Sequence, residues 1–203
     1  MLMAKKKNQR DSVTFVCGAR GSGKSSWLKQ YARGFGRVLV WDPMREYGEA
    51  LGVEAVGAPS DLVALRHADP VLVFAPEFVS TAAFDFFCHV AWSRRAGLVI
   101  ADELAAVTHA GKASGWWGRL IREGRHRGIE IAGATQRPAE IDKTIIGNAT
   151  RAVVFRLQRR ADRELMAAEL DIDRAQIDAL APLHFLDADL LSRRVTASRI
   201  VFG

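Results

Sequence analysis

The chain has 203 residues, 49% of them hydrophobic, enough for one α/β domain with a substantial core. Lys and Arg total 29 against 23 Asp and Glu, and the formal net charge of +6 suits either an anionic partner such as nucleic acid or a solvated basic surface. No apolar run approaches the roughly 20 residues that cross a bilayer, and the basic N-terminus lacks the apolar stretch of a signal peptide. The two cysteines, Cys17 and Cys88, lie in apolar runs and read as buried reduced thiols, not a disulfide or metal site; the five histidines show no metal-ligand spacing.

Residues 1–11 carry Lys5, Lys6, Lys7 and Arg10 with few apolar groups. They read as a basic, mobile tail, solvated or brushing nucleic acid phosphates, ahead of a single domain over 12–203. Residues 12–17 are β-prone and apolar. They lead into Gly18-Ala19-Arg20-Gly21-Ser22-Gly23-Lys24-Ser25, which fits G-x-x-x-x-G-K-[ST], the phosphate-binding P-loop. Helix-forming residues follow from Ser26 to Ala32, so the motif has its required context of strand, glycine loop and helix start. Free backbone N–H groups there point at an anion, and Gly21 and Gly23 permit the unusual dihedrals. The spacing assigns Lys24 to the outer phosphates of ATP and the Ser25 hydroxyl to Mg²⁺.

Gly34 and Gly36 break the helix, and 37–41 reads as a buried parallel strand ending at Asp42-Pro43. Ligands in such sheets lie beyond the carboxyl ends of strands, so Asp42 is either on the active edge or a strand-end turn residue. A short helix is expected over 60–67 and a buried strand over 71–75. Residues 80–95 place Phe84, Phe87, Cys88 and Ala91 at i, i+3, i+4 and i+7, an amphipathic helix with an apolar core stripe. Arg94 and Arg95 suit its C-terminal dipole, and Gly97 ends it.

Leu98-Val99-Ile100-Ala101-Asp102-Glu103 is a buried strand that delivers two carboxylates, the Walker B arrangement. Asp102 suits Mg²⁺ through its water shell, opposite Ser25. Glu103 suits activation of water at the γ-phosphate, against the plainer reading of an acid favoured in a first helical turn. Residues 108–118, with Lys112 and Trp116-Trp117 among three glycines, read as a flexible loop that touches DNA phosphates or a neighbouring subunit, or else as core tryptophans. Residues 119–127 concentrate Arg119, Arg122, Arg125, His126 and Arg127. They form a solvated basic surface or supply an arginine that reaches a neighbour's γ-phosphate. A strand over 129–134 delivers Thr135-Gln136-Arg137-Pro138, where Gln136 can bond both the γ-phosphate and the attacking water and so sense hydrolysis. Helices are expected over 141–148, 161–170 and 173–180, a strand over 151–157, and a terminal hairpin from 184–191 and 195–202.

These residues together resemble the FtsK–HerA group of P-loop motor ATPases. Beyond the P-loop, Val40-Trp41-Asp42-Pro43-Met44-Arg45-Glu46-Tyr47 is similar to the apolar-Asp-Pro-x-x-Glu-Tyr segment of HerA-like proteins, and Ile100-Ala101-Asp102-Glu103 to their Walker B. Glu123-Gly124-Arg125-His126-Arg127-Gly128-Ile129, with Gly133 to Pro138, is similar to their stretch joining a basic helix to the sensor strand. The likeness spans about residues 12–160. It implies a RecA-like α/β fold of the ASCE type with a mostly parallel sheet flanked by helices. It also implies ATP with Mg²⁺, a hexameric ring around double-stranded DNA, and sites completed by a trans arginine: Arg125 by its position, with Arg122 and Arg127 beside it. At this size, without the extra domains of cellular members, the chain is most similar to the genome-packaging ATPases of tailless, internal-membrane viruses and tectivirus-like phages. That implies action in the host cytoplasm, a capsid, portal or membrane protein as recruiter, and a possible place at the virion vertex. Filamentous-phage assembly ATPases of the zonula-occludens-toxin type share the motifs but usually add a transmembrane helix, and a small-molecule kinase is the more distant alternative. Lys24→Ala is expected to lose nucleotide affinity in a fluorescent-ATP titration; undiminished binding would count against the P-loop reading.

Overall fold

The computed structural model describes residues 12–94, 97–113 and 115–202; the basic tail and Arg95 lie outside them. Six apolar strands pair in parallel: Val13–Cys17 (β1), Val38–Trp41 (β2), Val71–Phe74 (β3), Leu98–Ala101 (β4), Glu130–Thr135 (β5) and Arg151–Phe155 (β6). A hairpin of His184–Asp189 (β7) and Arg194–Arg199 (β8) adds antiparallel to β6. The order across the sheet is β3-β2-β4-β5-β1-β6-β7-β8. The fold is thus the expected α/β type, a mostly parallel sheet flanked by helices.

The strands read as unbroken apolar runs because both faces are covered. Alternate residues enter opposite cores. Phe15, Leu39, Trp41, Val99 and Ile131 face one cluster, and Val16, Val40, Ile100, Ala132 and Phe155 face the other. The second cluster is capped by helix Lys24–Ala32 (α1) through Trp27 and Leu28. The first is capped by Thr81–Arg94 (α4), Gly115–Glu123 (α5), Lys143–Asn148 (α6) and Arg160–Leu170 (α7), after the short helices Gly48–Leu51 (α2) and Pro59–Leu65 (α3) and before Arg174–Asp178 (α8). β8 forms a largely exposed outer strand.

The α4 stripe is buried as its spacing demands: Phe84 and Phe87 sit 5.2 and 5.6 Å from Trp41, ring to ring. Cys17 and Cys88 are both free and buried, and burial raises both thiols well above their ordinary range.

The structure adds to or alters three expectations. Arg94 stands in the last turn of α4 as expected, and it has a further role. It is buried, and its guanidinium donates to the Asp69 and Pro70 carbonyls at 2.5 and 2.8 Å, clamping the turn before β3. Burial lowers its pKa to about 10. The 108–118 segment is not a free loop: Gly111 accepts from Lys143 N at 2.9 Å, and Ala113 N donates to Thr144 Oγ1 at 2.8 Å. Of the two readings of the tryptophans, loop contact or core, the structure takes the second for Trp117, and both residues belong to α5. Trp117 is core, 5.2 Å from Phe84, and Trp116 is half-buried and stacked on His89 at 4.2 Å. Helix α2 was not visible in the pattern, being a single turn of four residues.

Asp142 joins these parts. Its carboxylate caps α6 by accepting from Thr144 N and Ile145 N at 3.0 and 3.3 Å, and it takes the Trp117 indole N–H at 3.0 Å. Asp142→Ala is expected to cost about 2–4 kcal/mol, a lost helix cap plus an orphaned buried indole, read as a lower midpoint in denaturant unfolding.

Candidate active site

Sheet order decides what meets at the carboxyl edge. β5 lies between β1 and β4, so the P-loop after β1, the acids after β4 and Gln136 after β5 are delivered side by side. Gly133 in β5 permits this approach. A Cβ there would come within 2.2 Å of Ile145 Cδ1 and 2.9 Å of Leu104 Cδ1, so any larger residue would have to displace the ends of these two side chains where they pack on β5.

The P-loop takes its shape from Gly21 at φ 71° and Gly23 at φ 114°, both left-handed, with Gly23 the N-cap of α1. Gly18 is held by a hydrogen bond from its N–H to Thr135 O at 3.3 Å, and Ala19 N donates to Arg156 O at 2.8 Å. Arg20 is exposed at the tip. Ser22 is buried with its hydroxyl lacking a partner among the described residues, and Ser26 follows Ser25 in the first turn of α1. Lys24 is buried and its ammonium donates back to Ala19 O at 3.3 Å, across its own loop. Burial lowers its pKa, while Glu103 and Asp102 pull it back up.

Asp102 is buried at the end of β4. Its Oδ1 accepts from Glu103 N at 2.8 Å; its Oδ2 accepts from the Tyr47 hydroxyl at 2.7 Å and, more weakly, from Ser25 Oγ at 3.5 Å. Glu103 is half-buried in a left-handed conformation, φ 52°, capping the 3-10 turn Leu104–Ala106. That conformation costs of order 1 kcal/mol for a residue with a side chain. It turns the carboxylate toward Gln136, whose Nε2 donates to Glu103 Oε1 at 2.6 Å. Lys24, Ser25, Asp102, Glu103 and Gln136 therefore form one cluster.

The residues fit a nucleotide with its metal. The positive-φ glycines give the loop the backbone shape that a phosphate cradle needs, Ser22 has a hydroxyl without a partner among the described residues, and the buried Lys24 side chain lies beside them. Among the described residues no group of three or more His, Cys, Asp or Glu could hold a metal alone. One hydroxyl and one carboxylate, Ser25 and Asp102, suit Mg²⁺ that arrives on the phosphates and keeps most of its water.

The basic run lies elsewhere. It occupies α5 and the 3-10 turn Gly124–Arg127, ahead of the amino end of β5, whereas Gln136 follows its carboxyl end; six strand residues span about 20 Å. Arg119 and Arg127 lie over the two sides of the Trp92 environment, 4.4 and 4.3 Å from its ring centre. Arg122 folds back along α5, its Nη1 within 2.9 Å of where a Gly118 Cβ would stand. Arg125 is exposed, and its Nε lies 3.4 Å from His126 Nε2.

Two groups escaped the sequence reading. Tyr47 lay within a quoted motif without a role, because nothing in the sequence shows that the β2 loop folds back on Asp102. Arg156 and Arg163 join Arg20 and Gln158 around a cavity of about 580 Å³ beside the P-loop, where Arg163 pairs with Asp178 at 2.8 Å. Asp42, left open between two readings, is a turn residue: its carboxylate accepts from Glu46 N and Tyr47 N at 3.0 and 2.8 Å.

No family model matches the chain. Protein P9 of Pseudoalteromonas phage PM2 is 35% identical over 175 residues, covering 81% of this chain and 78% of that protein. The chain belongs to the FtsK–HerA superfamily of P-loop ATPases. Its fold is similar to that of the genome packaging NTPase B204 from Sulfolobus turreted icosahedral virus 2 in complex with AMPPCP, with TM-score 0.77 at 18% identity over 96% of this chain and 100% of that one. The N-terminal domain of zonular occludens toxin from Neisseria meningitidis superposes less well, with TM-score 0.51 at 14% identity over 96% of both chains.

Burial raises the Asp102 carboxyl above its ordinary 3.8, while hydrogen bonds from Tyr47 and Glu103 N hold it down. A carboxyl raised in the folded state costs nothing below the unfolded value and destabilises progressively as pH climbs through the folded value. Without nucleotide and in chelator, Asp102→Asn is therefore expected to melt above the parent at neutral pH, with the gap closing as pH falls toward the unfolded carboxylate value. Calorimetry across that range checks this; a lower neutral melting temperature would mean the hydrogen bonds outweigh the burial.

Proposed function

We propose that the protein is an ATP hydrolase that drives double-stranded DNA into a viral capsid, its subunits closing into a hexameric ring with each ATP site shared between neighbours. The observation that carries the reading is the Glu103–Gln136 contact at 2.6 Å beside Lys24 and Asp102. It holds a carboxylate ready to take a proton from water at the carboxyl edge, where a kinase would need an acceptor pocket instead. Kinship with Protein P9 and a fold shared with a protein described as a genome packaging NTPase support the packaging role.

In this reading Gly18 to Ser26 cradle the phosphates, with Lys24 on the outer ones. Ser25 and Asp102 would hold Mg²⁺, which would supply neutralisation of the phosphate charge. Glu103 accepts the proton of the attacking water. Gln136 holds Glu103 in place before ATP arrives and redirects its amide N–H hydrogen bond to the γ-phosphate once ATP is bound, so that loss of phosphate returns that hydrogen bond to Glu103. Arg125 crosses to the neighbouring subunit's γ-phosphate. It is favoured over Arg127, which is committed to Trp92, and over Arg122, which is folded along its helix. None of these can reach its own P-loop from the opposite end of β5, so a shared site needs a head-to-tail interface. The ring acts in the host cytoplasm, recruited by a capsid, portal or membrane protein at the vertex. Among the described residues no helix is long and apolar enough to cross a membrane.

An assembly or secretion ATPase on the same fold is the rival reading, and turnover stimulated by double-stranded DNA separates the two. Glu103→Gln is expected to keep ATP binding and lose about 10²–10⁴-fold in turnover. Arg125→Ala is expected to be similarly inactive. Mixing the two inactive variants should restore phosphate release, because an interface between them pairs an intact Glu103 with an intact Arg125. Absence of recovery in mixed rings would remove Arg125 from the trans role. Full activity of Glu103→Gln at saturating DNA would remove Glu103 from catalysis.

A further inference from the structure

Tyr47 stands 0% exposed, packed with Val16, Trp27, Val40 and Ile100, in a setting that a phenylalanine would fill equally well. Its hydroxyl nevertheless points at the one buried carboxylate of the site and donates to Asp102 Oδ2 at 2.7 Å. The residue is held through its backbone as well. Tyr47 N donates to Asp42 Oδ2 at 2.8 Å, Tyr47 O accepts from Leu51 N at 3.0 Å, and the Lys29 ammonium lies 5.3 Å from the ring centre. Asp42 itself is buried at the end of β2, and its other oxygen takes Glu46 N at 3.0 Å. The loop from Asp42 to Tyr47 is thus wound about one carboxylate so that one phenol reaches another.

We infer that Tyr47 is a positioning residue for the metal site: it fixes the Asp102 carboxylate plane so that Oδ2 faces Ser25, with Asp42 setting Tyr47 in turn. The inference rests on Asp102 serving Mg²⁺ as proposed above. Asp102 has two anchors. The Glu103 N–H on Oδ1 comes from the neighbouring residue and moves with it, so among the described residues the Tyr47 hydroxyl is the close anchor that ties the carboxylate to a different part of the chain, the loop after β2. Ser25 at 3.5 Å is too distant to hold it. Without the phenol O–H, the carboxylate is free to rotate about its side-chain torsions, and ordering it again falls to the incoming ion. Groups that orient metal ligands in this way typically change metal affinity by 10–100-fold when removed.

The test uses Tyr47→Phe, which keeps the ring and its packing and removes one oxygen. Mn²⁺ binding in the presence of saturating AMPPCP is followed by electron paramagnetic resonance. AMPPCP affinity in chelator and the thermal midpoint are measured alongside. Tyr47→Phe is expected to weaken Mn²⁺ about tenfold and leave metal-free AMPPCP affinity unchanged. It should also regain turnover when Mg²⁺ is raised by a similar factor. Asp42→Asn, which loosens the loop without touching the phenol, is expected to shift Mn²⁺ affinity the same way by less. Parent-like Mn²⁺ affinity in Tyr47→Phe overturns the inference. So does an equal loss of metal-free AMPPCP affinity, which would mark Tyr47 as structural support for the whole P-loop. Asp102→Asn runs in parallel: if it retains parent Mn²⁺ affinity, the metal role of Asp102 fails by its own measurement, independently of what Tyr47→Phe shows.

Discussion

The buried carboxylate of Asp102 is the constraint around which the site is built. An ionised carboxylate removed from water costs several kcal/mol unless hydrogen bonds replace its hydration. Here the replacements come from separate parts of the chain: the Glu103 N–H beyond β4 and the Tyr47 hydroxyl of the β2 loop, with Ser25 of α1 facing it at a longer distance. Satisfying this one group fixes the mutual placement of three connections at the carboxyl edge. The nucleotide site follows from that placement. Lys24 gains from it as well, because the same acids partly offset the lowering of its pKa by burial.

The backbone bears part of the cost. Glu103 adopts a left-handed conformation that its side chain disfavours, and Arg45 does the same in the loop that carries Tyr47. Strained residues of this kind persist only where the surroundings over-determine them. Around Glu103 the surroundings are Gly133, which admits Leu104 and Ile145 against β5, and Gln136, which receives the carboxylate. Around Arg45 they are the two oxygens of Asp42. At Glu103 the strained conformation accompanies a carboxylate bonded to Gln136 at the nucleotide edge.

The opposite end of the sheet works differently. There the arginines lie against aromatic faces, a use for which the planar, weakly hydrated guanidinium is suited. Trp92 and Trp116 draw Arg119 and Arg127 down onto α4 and α5, and the charge left outward is Arg125 with Arg122 along the helix. A run that looks uniform in sequence is thereby divided into structural and outward-facing members. Gly115 contributes to the same packing: it starts α5 where a Cβ would collide with Asp85, whose carboxylate caps the helix through Trp116 N at 2.7 Å.

Much of the site was legible because its signals are local. A P-loop is a contiguous string whose geometry is set by glycine dihedrals. A Walker B strand is a contiguous apolar run ending in acids, and Gln136 follows a strand in the same way. The stripe of α4 was legible through its period, and the terminal hairpin through its alternation and turn. What the sequence by itself determined was therefore the set of strands, the phosphate loop and the acids at their ends, because each depends on neighbours a few residues away. What only the tertiary structure decided was who touches whom across the sheet: β5 between β1 and β4, Tyr47 on Asp102, Arg94 on the turn before β3, Trp117 in the core instead of a loop, and Arg127 on Trp92. Those contacts join residues far apart in the chain, and they are chosen by burial of whole surfaces and by the need to pair each buried polar group, which no local pattern records.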